Sequence, residues 1–241
     1  MSTETTEARP GELAPDEVRA MFDRIAPRYD LLNRAMTMGL DRRWRRQAAA
    51  VADVAAGDRV LDVCTGTGDL ALELSPRTTQ LGDVLGVDVS AEMLDRAREK
   101  AERARVDNVE FGGADATALP LPDRHFDAAT VAFGVRNLAS LDRGLAEMAR
   151  VVRPGGCVVV LEISTPPRLR PFYHLWFDRL VPALGATLGR DSAAYSYLPA
   201  SVRRFPDPAS LAERMHDSGL GDVHWRLLAG GIVTLHWGRV R

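Results

Sequence analysis

The chain has 241 residues, is 46% hydrophobic and 27% charged, and carries a formal net charge of −2. That length suits one α/β domain with an elaboration, the apolar content excludes a disordered chain, and the near-neutral balance gives no electrostatic reason to expect nucleic acid. Cys64 and Cys157 both lie in apolar strand-like runs and read as reduced core thiols rather than a disulfide.

Residues 1–14 are small and polar, broken by Pro10 and Gly11, and read as a loose, disordered tail. From Pro15 an i, i+3, i+4, i+7 stripe of Val18, Met21, Phe22 and Ile25 predicts a helix that Pro27 ends. A second helix is expected from Asp41, an N-cap residue type, carrying Arg42-Arg43-Trp44-Arg45-Arg46 into an alanine-rich segment. Strands are then expected near 59–63, 83–88, 108–112, 126–133 and 156–163. Helices near 68–75, 90–104 and 140–152 alternate with them, and Arg153-Pro154-Gly155-Gly156 turns the last helix into its strand. Residues 165–206 break the alternation. Pro166-Pro167 opens a stretch rich in bulky apolar residues, Phe172 to Leu184, that reads as an inserted helical cap. A helix near 207–218 closed by Gly219, then strands near 222–228 and 232–240 linked by Ala229-Gly230-Gly231, predict a terminal hairpin and one antiparallel edge pair. Residues 15–241 therefore read as a single α/β domain: a doubly wound, seven-stranded, mostly parallel sheet of Rossmann-like type.

The most informative stretch is Val60-Leu61-Asp62-Val63-Cys64-Thr65-Gly66-Thr67-Gly68-Asp69-Leu70-Ala71, answered by Gly86-Val87-Asp88-Val89. It describes strand, tight loop, helix and strand, with a nucleoside site at the strand tips. Gly66 and Gly68 permit positive φ and close approach of backbone N–H groups to a ligand, and Asp88 is placed to accept both ribose hydroxyls. Two ligands suit the pattern. Gly66-x-Gly68-x-x-Ala71 satisfies the dinucleotide fingerprint, in which a pyrophosphate sits on the helix N-terminus. Asp62 and Asp69 bracket the loop with carboxylates, which repel a pyrophosphate and attract the ammonium and sulfonium of S-adenosylmethionine. A dehydrogenase would also want a sixth parallel strand and a separate catalytic domain, for which the chain has no room. The class I S-adenosylmethionine-dependent methyltransferase fold is the better match.

Two further strand tips carry chemistry. In Gly113-Ala114-Asp115-Ala116-Thr117, Asp115 is placed for the adenine amino group and the Ala116 N–H for a ring nitrogen; an Asp capping an ordinary turn is the plain alternative. Thr67 can offer its hydroxyl or N–H to the methionine carboxylate. After the fourth strand, Phe133-Gly134-Val135-Arg136-Asn137 faces the reaction centre. Arg136 and Asn137 there suit a substrate oxyanion, against the alternative of a surface Arg beside a helix-capping Asn. The basic run around Trp44 suits anionic lipid or, as the preferred reading, a solvated helix face with Trp44 packed inward. No His or Cys spacing suggests a metal, and no nucleophile elbow suggests a hydrolase. No apolar run reaches the ~18 residues that span a bilayer, and the N-terminus is unlike a signal peptide, so a cytoplasmic protein is expected.

Tyr29-Asp30-x-x-Asn33, Trp44, Phe133 to Asn137, Arg150-Val151-Val152-Arg153-Pro154-Gly155-Gly156 running to Glu162-x-Ser164, Tyr195-x-Tyr197-Leu198, Phe205-Pro206 and Gly230-Gly231-Ile232-Val233-x-Leu235-His236 occur in order over about residues 20–238. In these motifs the chain resembles the menaquinone/ubiquinone biosynthesis C-methyltransferases. The resemblance implies that Thr67, Asp88, Asp115 and Ala116, with the Gly66 and Gly68 loop, bind S-adenosylmethionine without a metal. It implies methylation at a ring carbon of an isoprenoid naphthoquinol, demethylmenaquinol. The alternatives are a benzoquinol, or a small metabolite methylated on oxygen or nitrogen. Arg136 and Asn137 would act on the acceptor, with water or His236 taking the proton. Peripheral contact with the inner face of the membrane and a homodimer are compatible with it. Two positions depart from the family pattern: Ala132 stands where many relatives have Ser, and Asp41 where many have His.

Overall fold

The strands form a single sheet whose parallel members all end at one edge. The structure, a computed structural model, describes residues 13–165 and 192–241, with the backbone alone for 192–196. The strands are β1 (Arg59–Val63), β2 (Asp83–Asp88), β3 (Val109–Gly113), β4 (Phe126–Ala132), β5 (Val152–Ile163), β6 (Leu220–Leu228) and β7 (Val233–Val240), in spatial order β3-β2-β1-β4-β5-β7-β6. β1 to β5 pair in parallel. β7 lies antiparallel to β6, as the hairpin predicts, and also to β5, so there are two antiparallel pairings rather than one. β3 and β6 are the edge strands.

The helices are α1 (Pro15–Ile25), α2 (Tyr29–Thr37), α3 (Leu40–Val51), α4 (Asp69–Thr78), α5 (Ala91–Ala104), α6 (Leu141–Val151), α7 (Ser192–Arg204) and α8 (Pro208–Asp217). Ser90, Ser140 and Asp207 cap α5, α6 and α8 by accepting backbone N–H bonds, each satisfying orphan donors of the first turn. α3 starts one residue before Asp41. Gly39, in the left-handed region at φ +76°, is its N-cap, and Asp41 sits inside the first turn paired to Arg45. α1 ends at Ile25, just before Pro27 as expected, but a 3₁₀ turn over Ala26–Arg28 passes straight into α2, which the sequence reading missed. The expected turn at 153–156 is absorbed into β5 as an irregularity, with Gly155 at φ +79° and the register jumping between Phe126↔Val152 and Ala128↔Cys157. Residues 1–12 of the expected tail and the aromatic part of the expected cap, 172–184, lie outside the described residues. The end of that cap segment is α7.

Both sheet faces are buried, which is why the parallel strands read as continuous apolar runs. Val63, Val131, Val158 and Val160 face Leu145 and Met148 of α6 and Leu211 and Met215 of α8. Val60, Val159 and Leu161 face Trp44 and Ala48 of α3 and Leu70 and Leu74 of α4. α1, α2 and α7 stand apart from these layers. Val18 and Met21 pack on Tyr197, and Leu32 packs on Val202.

Candidate active site

The loop leaving β1 turns sharply because Cys64 (φ +51°), Gly66 (φ +56°) and Gly68 (φ +80°) all adopt left-handed backbone, a region that is cheap only for glycine. The turn points the Gly66 N–H at Asp88 Oδ2, 2.9 Å away, while Ser90 N–H reaches Asp88 Oδ1 at 2.9 Å. Asp88 is thus locked at the tip of β2, and burial pushes its pKa up against those backbone donors. Asp88, Gly66, Asp115 and Ala116 line one cleft of about 320 Å³, whose outer wall is Val18 and Phe22 of α1. Asp115 is held by the Thr117 N–H and hydroxyl, both 2.8 Å from Oδ1. The turn-capping role and the cleft position therefore coincide in one residue.

Two expected ligand-binding positions are otherwise engaged. Gly68 does not line the cleft; a Cβ there would lie 3.0 Å from Ala97 Cβ and Phe111 Cζ, so this glycine serves close packing of α4 against α5 and β3. The Thr67 hydroxyl donates to Asp30 Oδ1 at 2.6 Å and accepts from Lys100 Nζ at 2.8 Å. Thr67 is a junction between α2, α4 and α5 rather than an open hydroxyl. The loop carboxylates also differ from each other. Asp69 pairs with Lys100 at 2.6 Å; burial raises its pKa, but Lys100 and Arg45 more than offset this and hold it low. Asp62 is buried, accepts from Thr65 and Thr130 hydroxyls at 2.6 and 2.7 Å, and makes no ion pair, so burial lifts its pKa to about 6.

A second cleft of about 130 Å³, largely apolar, opens beside the first between α2, α3 and the ends of β5 and β7. Tyr29 and Phe133 line both. Arg136 lines the second, and with Asn137 it also lines a small recess of about 70 Å³ beneath α1 and α7. Arg136 Nη1 donates to Glu162 Oε1 at 2.6 Å and to the Phe133 carbonyl, and its Nε is buried without a partner. Burial works to lower its pKa, but the Glu162 charge outweighs it and the guanidinium is held above its ordinary value. Asn137 Nδ2 makes only a 3.5 Å contact to Phe133 O, and its Oδ1 is likewise buried and unpartnered. Asn137 is not a helix cap; Ser140 caps α6. One orphan donor and one orphan acceptor on adjacent residues match a hydroxyl, which accepts and donates.

His236 is not at the site. It is fully buried, bonds the Pro208 carbonyl at 2.8 Å and lines none of these clefts, and burial lowers its pKa to about 4. It takes no part as proton acceptor. The basic run divides: Trp44 and Arg45 are buried against Phe133, edge-on and over its ring respectively, whereas Arg42, Arg43 and Arg46 are exposed. Cys157 is a core thiol, but Cys64 faces the first cleft, its thiol pKa pushed well up by burial and by Asp88 and Asp62. Sequence reasoning gave no role to Tyr29, Lys100 or Glu162. Two signals marked them: Glu162 is an acid in the apolar run Val158-Val159-Val160-Leu161, and Lys100 is the one lysine among 31 basic Lys and Arg residues. Among the described residues no group of side chains is arranged to hold a metal ion, and no helix is long and apolar enough to cross a membrane.

A model of the ubiE/COQ5 methyltransferase family matches residues 9–240. A Deinococcus radiodurans protein named demethylmenaquinone methyltransferase is 46% identical over 226 residues, 93% of this chain and 92% of its own. One of the same name from Thermus thermophilus is 47% identical over 220 residues, 90% and 99% respectively. A ubiquinone/menaquinone biosynthesis C-methyltransferase UbiE from Geobacter sp. is 42% identical over 226 residues, covering 92% and 96%. Among solved structures, a SAM dependent methyltransferase from Aquifex aeolicus superposes with TM-score 0.61 at 20% identity, over 95% of this chain and 100% of its own. The [4+2]-cyclase SpnF superposes with TM-score 0.71 at 18% identity, over 94% and 96%. Those two likenesses show the fold. The chain belongs to the ubiE/COQ5 methyltransferase family.

Proposed function

We propose that this member of the family transfers a methyl group from S-adenosylmethionine to a ring carbon of demethylmenaquinol. The observation that carries the reading is the pair of clefts meeting at Tyr29 and Phe133, one ending under Asp88, the other apolar and ending at Arg136. The first fits the donor. Asp88 keeps acceptor capacity for a ribose beyond its two backbone bonds, Asp115 and Ala116 stand where the adenine edge would lie, and Asp62 is an unpaired acid behind the loop. The Thr67 hydroxyl then acts only through the loop it braces.

The bound donor supplies an electrophilic methyl on a sulfonium. A quinone ring is too electron-poor to attack it; a quinol is richer, and its anion richer still. With a phenol-like pKa near ~10, the hydroxyl needs help to ionise. Arg136 Nε–H would donate to that oxygen as charge develops on it, Asn137 Oδ1 would accept the O–H of the neutral quinol, and Tyr29, whose own hydroxyl burial keeps protonated, would flank them. The hydroxyl proton passes to water; as the ring carbon forms its bond to methyl, the carbon–sulfur bond breaks with its pair left on sulfur, and the ring hydrogen at that carbon is lost as a proton that restores the hydroxyl, so that one proton is released in all. A labelled methyl donor with demethylmenaquinol should give product labelled on carbon only while dithionite keeps the ring reduced. Label on oxygen, or equal turnover of the quinone, would refute the assignment.

The acceptor's isoprenoid tail makes the rim of the second cleft relevant. Met38 and Leu40, both lining that cleft, are 72% and 37% exposed, and Leu31 is 60% exposed, with Arg34, Arg42 and Arg43 exposed on the same two helices. Apolar residues ringed by arginines suit peripheral contact with an anionic lipid surface.

A further inference from the structure

Glu162 lies near the end of β5, is fully buried, and touches neither cleft. Its carboxylate nevertheless clamps Arg136 twice: Oε1 accepts Nη1 at 2.6 Å, and Oε2 accepts the Arg136 backbone N–H at 3.3 Å. The Ile163 N–H, 2.8 Å from Oε1, fixes the carboxylate in turn. An apolar residue would cost less at a position buried on both sides, and buried ion pairs seldom add stability over well-packed apolar groups. The placement of Arg136 therefore calls for an explanation other than stability.

We propose that Glu162 is a positioning residue that turns the Nε edge of Arg136 toward the acceptor and cancels its charge, so that the acceptor binds as the neutral quinol. The groups facing Arg136 agree with this balance. Tyr29 of α2 and Tyr197 of α7, both phenols, are the other titratable groups that face it. Arg45 of α3, beyond Tyr29, is itself matched by Asp41 at 2.7 Å. Cys64 after β1 and Asp88 of β2 lie on the donor side. Among the described residues no buried cation at the acceptor end is left without an acid, so none is free to draw in an anion. A neutral pair also protects the free enzyme from capturing stray anions in an apolar cleft, while the open Nε–H still stabilises charge as it develops.

The inference rests on the quinol reading, and two measurements separate them. Glu162→Gln keeps the size and one acceptor oxygen but bares the Arg136 charge. The acid limb of its kcat profile, which reports groups in the enzyme–substrate complex, should then move down by about one pH unit or more, as a neighbouring cation favours the ionised acceptor. A limb that stays in place, in a variant that still binds S-adenosylhomocysteine normally, would overturn the proposal. Because baring a buried charge can prevent folding, the second measurement uses the wild-type enzyme loaded with S-adenosylhomocysteine. Calorimetry should find a neutral naphthoquinol monomethyl ether and the anionic 2-hydroxynaphthoquinone bound within about threefold, a difference under 1 kcal/mol. A preference of about tenfold or more for the anion would overturn the proposal while leaving the quinol reading intact. Binding of neither would overturn both.

Discussion

Removing the amine of Lys100 tests whether the glycine loop is braced from outside. Its Nζ lies 2.6 Å from Asp30 Oδ2, 2.6 Å from Asp69 Oδ1 and 2.8 Å from Thr67 Oγ1, a three-way arrangement that a compact ammonium suits and a planar guanidinium does not. The lysine side chain is 20% exposed and its two carboxylate partners about a third exposed. Each charge-assisted bond is worth about 1.5–3 kcal/mol, but partial exposure screens them and the bonds are not additive. Lys100→Met, which also leaves two acids facing each other, should cost about 2–4 kcal/mol, or on the order of 10 °C in melting temperature for a chain this long. Lys100→Arg should recover less than half of that. The pH dependence has a definite sign. Asp69 titrates below its ordinary value, so its stabilisation is complete above that value, 3.8, and is lost as pH falls through the lower folded pKa. Thermal melts of wild type and Lys100→Met should therefore stand apart at pH 7 and converge toward pH 3. A gap under about 2 °C at pH 7, or one unchanged at pH 3, would refute the reasoning.

Asp88→Ala should weaken binding of the methyl donor by about 1.5–3 kcal/mol in calorimetry, the scale of hydrogen bonds to a charged group, while leaving the chain folded. Gly68→Ala should lower the urea midpoint by the equivalent of about 2 kcal/mol, from its positive φ and the 3.0 Å approach to Ala97 and Phe111, with donor affinity nearly unchanged. Donor affinity should rise by roughly tenfold from pH 5 to pH 7 and become flat in Asp62→Asn. The folded pKa of about 6 lies above the ordinary 3.8, so the free protein is most stable with Asp62 protonated and loses that stability as pH rises through 6, until a cation joins it. Substituting Leu31, Met38 and Leu40 by Ser should reduce co-sedimentation with phosphatidylglycerol vesicles at least about fivefold, each exposed apolar side chain contributing on the order of 1 kcal/mol or more; unchanged sedimentation would rule out this rim as the contact.

β1, β2 and β4 could be read from the sequence because strands covered on both faces are largely apolar, and each run is closed by a change of character: the turn at Cys64 after β1, Asp88 at the end of β2, the turn at Phe133 after β4. α2 could not. Its nine residues bury only Leu32, and the preceding proline signals a stop that the 3₁₀ turn over Ala26–Arg28 evades. The second antiparallel pairing was hidden for another reason. Which strand β7 sits beside is decided by partners 70 to 82 residues away, such as Ile163↔Val233 and Cys157↔Arg239, and no local pattern carries that. The same division runs through the site. The convergence of Gly66, Asp88, Asp115 and Ala116 on one cleft was legible because strand tips of a parallel sheet converge. The contacts that engage the Thr67 hydroxyl and crowd Gly68 were not, because they come from neighbours distant in sequence: Asp30 and Lys100 for one, Ala97 and Phe111 for the other.

The charges around the two clefts then sort into a pattern that no single motif displays. Each buried or half-buried cation there has its own acid: Arg45 with Asp41, Arg136 with Glu162, Lys100 with Asp30 and Asp69. Among the described residues Asp62 and Asp88 make no ion pair, and both are pushed toward protonation by burial. The donor side is thus left acidic and the acceptor side neutral. A cationic sulfonium gains from the first arrangement, and a neutral quinol loses nothing in the second. When methyl transfer removes the positive charge from sulfur, the acidic side loses part of its hold on that ligand. Product release is favoured by the same carboxylates that favoured donor entry, with no residue needing to move.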